Sequence, residues 1–244
     1  MQLQFVGCGD ALGSGGRFNT CFHVTGERAN FLIDCGASSL LALKRYNIVR
    51  ENIDVILITH FHGDHFAGLP FLLLDAQFTR RARPLIIAGP EGIEMRLTQA
   101  MEALYEHSSK TRQKFDLSIV TLQGEQTKDF GTLQVTPYPV VHGESGGPFL
   151  AYRIETEGRT ITYSADTEWT ETLVPAARDA DLFICEAYYY DRIVKNHLSL
   201  KTLEEHLSRI APKKLVLTHM SDDMLARVGS LPYTTASDGM VVEI

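Results

Sequence analysis

"THFHGDH", residues 59–65, places three histidines and an aspartate within seven positions. Imidazole nitrogens and carboxylate oxygens suit zinc, manganese or iron, and a divalent ion held by them lowers the pKa of bound water to about 7. The stretch ends "DVILITH" (54–60), a continuous apolar run of the kind found in strands buried on both faces. In the loop that follows, His60 and His62 alternate back to one side. Gly63 is read as the sharp turn that brings Asp64 and His65 to a second position. One short loop therefore carries donors for two ions.

Two ions about 3.5–4 Å apart need more ligands and preferably a bridging carboxylate. The later chain offers His142 in "PVVHGES", Asp166 in "TYSADTE" and His219 in "LVLTHMS", each following an apolar strand-like run. A lone histidine at a strand end is as readily a core or surface imidazole; several polar residues at comparable positions point to a site. "DVILITH" and "KKLVLTH" (213–219) echo each other, both closing an apolar strand in Thr-His. His23, His107 and His206 are read as ordinary histidines.

The surrounding pattern is layered. Strands are expected at "LQFVGCG", "TCFHVTGE" and "ANFLIDCG", the last two joined by a hairpin turn at Gly26-Glu27. A helix is expected over "SSLLALKRYNI", capped by Ser38 or Ser39, with Leu40, Leu41, Leu43 and Ile48 on one face. Helices "AGLPFLLLDAQF" and "GIEMRLTQAMEALYEHS" flank a strand "PLIIAG". Residues 117–163 return to strands. "DLFICEA", a helix over "SLKTLEEHLSRI" capped by Ser199, and "KKLVLTH" complete the pattern. Two sheets covered by helices follow, in one domain spanning 1–244.

The 244 residues, 44% hydrophobic and 22% charged, suffice for a sizeable core. No apolar run approaches the roughly 20 residues of a membrane helix, and the start has no signal-peptide pattern, so the cytoplasm is the expected compartment. Cys8, Cys21, Cys35 and Cys185 lack any C-x-x-C pairing and are read as buried thiols. The net charge of -7 disfavours nucleic acid as a partner. The basic stretches "RRAR" (80–83) and "KTRQK" (110–114) are read as solvated faces.

The ordered set His60, His62, Asp64, His65, His142, Asp166 and His219 resembles the metallo-β-lactamase superfamily, whose signature T-H-x-H-x-D-H is followed by a His, an Asp and a final His. The resemblance implies a four-layered αββα sandwich of two mixed sheets flanked by helices. It implies one metal on His60, His62 and His142 and another on Asp64, His65 and His219, bridged by Asp166 and a hydroxide. Zinc is the expected metal; manganese and iron suit the same ligands. Asp34 in "FLIDCG" is implied as the acceptor behind the ligating histidines. Flavodiiron relatives usually have Glu in place of His62.

Within the superfamily, "FVGCGDALGSGGRFNT", "DLFICEAYYY" and "NHLSLKTLEEHL" resemble the ribonuclease Z and phosphodiesterase side. There the pieces are a glycine-rich loop ending in Arg-Asn, a His-Glu-Ala-Thr segment and a His-Ser/Thr segment. Here Phe18 separates Arg17 from Asn19, Cys185 replaces the first histidine and Leu198 intervenes before Ser199; Glu186 and His197 match. The implied roles are Asp64 as ligand and proton acceptor, and Glu186 orienting His197, which assists phosphate chemistry.

The reading is a dinuclear metal hydrolase of a small phosphodiester, such as a cyclic nucleotide. One alternative is hydrolysis of a carboxylic ester, lactone, thioester or β-lactam. Another is tRNA 3′-end processing, against which stands the lack of a basic, glycine and proline-rich arm in residues 70–141. The last is a non-catalytic metal-binding sensor or binding protein. Dimerisation is common among relatives, although no stretch specifies an interface for a homodimer.

Overall fold

The computed structural model describes residues 1–244. Its strands form two seven-stranded mixed sheets. The first contains β1 (Gln2–Gly7), β2 (Cys21–Thr25), β3 (Asn30–Ile33), β4 (Val55–Leu57), β5 (Leu85–Gly89) and β6 (Leu117–Thr121). The second contains β7 (Lys128–Asp129), β8 (Gln134–Pro139), β9 (Leu150–Thr156), β10 (Arg159–Tyr163), β11 (Leu182–Glu186), β12 (Leu215–Thr218) and β13 (Thr234–Thr235); β14 (Val241–Glu243) returns to the first. The orders are β14-β1-β2-β3-β4-β5-β6 and β13-β12-β11-β10-β9-β8-β7. From β3 to β6, and from β10 to β13, neighbours pair in parallel; the remaining pairs are antiparallel.

The apolar runs explain the layering, because side chains on a strand alternate between faces. In β4 and its continuation, Val55 and Leu57 enter the layer between the sheets, with Phe5, Phe22, Phe31, Tyr152 and Ile184. Ile56 and Ile58 face the other way, under helices α1 (Ser39–Arg45), α3 (Leu69–Phe78) and α4 (Ile93–Leu104), beside Leu43, Leu72 and Leu97. In β11, Leu182 and Ile184 face inward. Phe183 and Cys185 pack outward on α6 (Leu200–Ile210) and α7 (Asp222–Leu225) through Leu203 and Met224. Two short helices, α2 (Gly63–Phe66) and α5 (Leu173–Ala177), complete the molecule. Helices thus cover both outer faces of the paired sheets, in the αββα layering that the resemblance implies.

Several local expectations change. Ser38 precedes α1, but its side chain makes no cap; its hydroxyl instead accepts from the Asn19 amide at 2.8 Å. Leu41 is 65% exposed, off the buried face. Ser199 does cap α6, accepting from the Thr202 amide at 3.2 Å. The helix expected over 92–108 stops at Leu104, where Tyr105 turns extended. "RRAR" is not wholly a solvated face: Arg81 is buried and donates to the carbonyls of Arg83, Arg50, Ile53 and Pro84. It satisfies carbonyls that leave the sheet, and the charge is spread over them. Lys110, Arg112 and Lys114 of the second basic stretch are exposed as expected. All four cysteines are buried and free.

Candidate metal centre and active site

The parallel strands β3, β4, β10, β11 and β12 deliver polar residues at their C-terminal ends, where open α/β sheets generally bind ligands. Asp34 follows β3, His60 follows β4, Asp166 follows β10, Glu186 ends β11 and His219 follows β12. His142 comes from the segment after β8. Pairing of Glu186 with Thr218 sets Glu186 beside the residue that precedes His219. Asp34, Ala165 and His219 hold φ of 58°, 54° and 53°. Left-handed backbone at non-glycine residues is costly and clusters at functional sites.

All seven residues of the signature converge, in two groups. In the first, His60 Nε2 lies 3.2 Å from His62 Nδ1, which lies 3.1 Å from His142 Nε2. In the second, Asp64 Oδ2 is 3.2 Å from both His65 Nε2 and His219 Nε2. Asp166 Oδ2 stands 3.2 Å from the same two nitrogens. The same Asp166 oxygen is 3.5 Å from His142 Nε2, so it borders both groups.

The turn between the groups is made differently from the sequence reading. Gly63 opens α2, with His62 as the residue before the helix, and the helical turn carries Asp64 and His65 to the second group. A Cβ on Gly63 would meet only Ala67, at 3.8 Å, so this position does not require glycine. The positions that do are elsewhere. A Cβ on Gly36 would lie 2.1 Å from the Asp64 carbonyl. One on Gly146, at φ +90°, would lie 2.4 Å from His62 Cδ2.

Behind the donors, each acceptor fixes which nitrogen faces the centre. His65 Nδ1 donates to Asp34 Oδ2 at 2.7 Å. His60 Nδ1 donates at 3.1 Å to the Thr59 hydroxyl, which itself donates to Asp34 Oδ2 at 2.9 Å. Asp34 thus orients one histidine of each group. His142 Nδ1 donates to the Asn196 carbonyl at 2.6 Å, and His62 Nε2 to the Ser145 carbonyl at 3.0 Å. Thr59, Ser145 and Asn196 escaped the sequence reading; the Thr-His echo at 59–60 and 218–219 was the available signal, and only Thr59 reaches a carboxylate.

The donor set fits cations. Ligands at 2.0–2.1 Å in a tetrahedral shell stand about 3.3 Å from one another, close to the spacings of both groups. Asp34, Asp64, Asp166 and Glu186 are at most 6% exposed. Their ion-pair partners are histidines, with no Lys or Arg among them. Buried carboxylates need compensating positive charge. Burial opposes a charge on His219, yet Asp166 and Asp64 outweigh it and raise its pKa to about 9. Burial and the neighbouring His65 hold His60 well below the imidazole range, in the neutral form a ligand requires. Asp166 Oδ1 is buried without a partner.

Beside the second group stands Glu186, fully buried, with Oε2 accepting from His197 Nδ1 at 2.9 Å. Its Oε1 accepts from the Thr167 amide. A ring nitrogen of His197 comes within 4.8 Å of ligand atoms of His142 and Asp166. Tyr188 stacks on the His197 ring, centroids 4.4 Å apart and planes 22° apart. Of the remaining histidines, His23 pairs with Asn30 at 2.9 Å, His206 stacks on Trp169 and His107 is exposed; none approaches the centre.

The chain is 28% identical to a ribonuclease Z of Agathobacter rectalis, over 88% of this chain and 86% of the relative. It superposes on the human short-form tRNase Z with a TM-score of 0.82 and 26% identity, covering 100% of this chain and 99% of the other. Zinc-bound PqqB from Methylobacterium extorquens shares the fold, with a TM-score of 0.76 at 16% identity and full coverage of both chains. The chain is a metallo-β-lactamase-fold hydrolase related to ribonuclease Z. Residues 1–235 match the family described as Anti-Pycsar protein Apyc1, and the chain belongs to that family.

Proposed function

We propose that this protein is a dinuclear phosphodiesterase acting on a small or cyclic nucleotide in the cytoplasm, and that this chemistry underlies the anti-Pycsar role in its family's description. Two ions, with zinc the expected metal, would be held by His60, His62 and His142 and by Asp64, His65 and His219, with Asp166 shared. When bound, they supply an activated water and neutralise charge on phosphoryl oxygens. Asp64 takes up the proton that the attacking water loses. His197, oriented through Nδ1 by Glu186, presents its other nitrogen to the leaving oxygen and donates a proton there.

The observation that carries the reading is the Glu186–His197 pair, joined at 2.9 Å, with a His197 ring nitrogen within 4.8 Å of ligand atoms of His142 and Asp166. A phosphodiester expels an alkoxide, which needs a proton; an activated lactone or β-lactam needs it less. Small substrates are favoured by the compact stretch from α3 to β8, in which the strands and helices are joined without a projecting arm. The ribonuclease Z alignment spans 267 residues, more than the 244 of this chain, so that relative carries segments missing here.

The same relatives support a second reading, tRNA 3′-end processing. Metal-replete protein assayed with 3′,5′-cyclic nucleotides, a 3′-extended tRNA, bis(p-nitrophenyl) phosphate and a chromogenic lactone decides. Cyclic nucleotide turnover that falls on Glu186→Ala or His197→Ala, with lactone turnover less affected, is expected. Cleavage of the tRNA alone replaces the reading with the second one, and turnover of the lactone alone overturns both.

A further inference from the structure

Tyr188 stands where the ribonuclease Z segment that this chain resembles has threonine, so its role does not come with the resemblance. Its ring lies nearly parallel to His197 at 4.4 Å and tilted against His219 at 5.9 Å. Its backbone is fixed on both sides: the amide donates to the Leu198 carbonyl at 2.9 Å, and its carbonyl accepts from the Ser221 amide at 3.1 Å. Burial, and after it the nearby Asp10 carboxylate, raise the pKa of its hydroxyl. Asp10 is itself 1% exposed and held by the Ser14 amide at 2.8 Å and the Ser14 hydroxyl at 2.7 Å. A rigid aromatic wall therefore backs the one ring whose angle decides where the free nitrogen points.

We infer that Tyr188 is a positioning residue: held by its backbone bonds to Leu198 and Ser221 and stacked on the His197 ring, it sets the plane in which His197 delivers its proton to the leaving oxygen. Glu186 holds that ring at Nδ1 and restrains its turn about the Cβ–Cγ bond, while a single hydrogen bond still tolerates tilt; His142 and His219 border the ring at 4.7 and 5.7 Å. The Tyr188 face, stacked at 4.4 Å, limits that tilt. Misorientation by a small angle carries the far nitrogen away from the reacting atom, and loose alignment of this kind weakens proton transfer. In the step itself water's oxygen bonds to phosphorus and the bond from phosphorus to the leaving oxygen breaks. The leaving oxygen takes the His197 proton, and the water's proton goes to Asp64. The inference rests on the phosphodiesterase reading only for its substrate, because the ring geometry is read independently.

The test compares Tyr188→Phe and Tyr188→Ala, alone and with His197→Ala, in metal-replete protein of verified metal content. With a 3′,5′-cyclic nucleotide, whose leaving group is a poor alkoxide, Tyr188→Ala is expected to lower kcat about 30-fold with KM nearly unchanged. With bis(p-nitrophenyl) phosphate, whose leaving group needs no proton, the loss is expected to stay within about threefold. Tyr188→Phe keeps the stacked ring and is expected to recover most of the cyclic-nucleotide rate that Tyr188→Ala loses. In the His197→Ala background the Tyr188→Ala loss disappears, because the two act as one unit. A crystal structure of Tyr188→Ala should show the His197 ring turned from its wild-type plane. Equal losses on both substrates, additivity with His197→Ala, or an unmoved His197 ring overturns the inference. Wild-type protein inert to both phosphodiesters sinks the phosphodiesterase reading instead, and the crystallographic result then decides the positioning role by itself.

Discussion

The two donor groups, which share Asp166, are built from opposite materials. His60, His62 and His142 contribute only neutral imidazole, and His62 is half-buried beside the glycine-rich segment 143–147. Asp64, His65, Asp166 and His219 include two carboxylates and are all buried. Charge attraction between a divalent cation and a carboxylate grows as water is excluded. The carboxylate group is therefore expected to be the tighter metal position, and the three-histidine group, where His62 is half-buried, the more labile one.

Stepwise chelation gives the largest effect and the most direct way to break that comparison. Increasing chelator should remove one equivalent of metal before the other, with hydrolysis falling to background before the last equivalent leaves. Elemental analysis beside activity reads this. Simultaneous release of both equivalents would show that the groups do not differ in retention. Asp166→Ala comes next, since its Oδ2 borders both groups: loss of at least one equivalent and of at least about a thousandfold in kcat/KM is expected. A variant that keeps both metals and its activity would remove Asp166 from its shared place.

Asp34→Ala sharpens the comparison from behind. Asp34 accepts directly from His65 and reaches His60 only through Thr59. Removing an acceptor behind a ligating histidine costs about 10–100-fold in metal affinity or activity. The carboxylate group should weaken more than the three-histidine group, because it loses a direct partner. Competition titration with a metal indicator measures both affinities, and equal weakening would mean that the Thr59 relay matters as much as the direct bond.

How these features showed in the sequence differs by feature. The histidine-aspartate loop and strands β3, β4, β11 and β12 were legible because burial on both faces writes an uninterrupted apolar run that stops where a polar ligand begins. Later ligands were legible because each also follows such a run. Strands β7, β13 and β14 were not, being two or three residues long and held by their neighbours rather than by any period. Arg81 reads as a surface charge within "RRAR", and only carbonyls brought together by folding make it a buried clamp. Tyr188 gave no signal beside Glu186, since stacking on His197 depends on the chain returning through residues 189–197. The glycine pattern misled in the same way: Gly63 stands in the motif, whereas the close approaches fall at Gly36 and Gly146, whose neighbours lie far off in sequence.

Gly146→Ala is the smallest of these effects and the most selective. The added methyl would meet His62 Cδ2 at 2.4 Å and Nε2 at 2.5 Å, and φ of +90° already disfavours a side chain. His62 cannot retreat freely, because its Nε2 is bound to the Ser145 carbonyl and the Phe61 amide to the Gly146 carbonyl at 2.7 Å. The displaced ring should weaken the three-histidine group alone, by about tenfold in metal affinity, with the carboxylate group untouched. Metal content at limiting metal would then fall from two equivalents toward one. Weakening of both groups would mean that the loop at 143–147 supports the whole centre, and the division into a labile and a retained position would have to be given up.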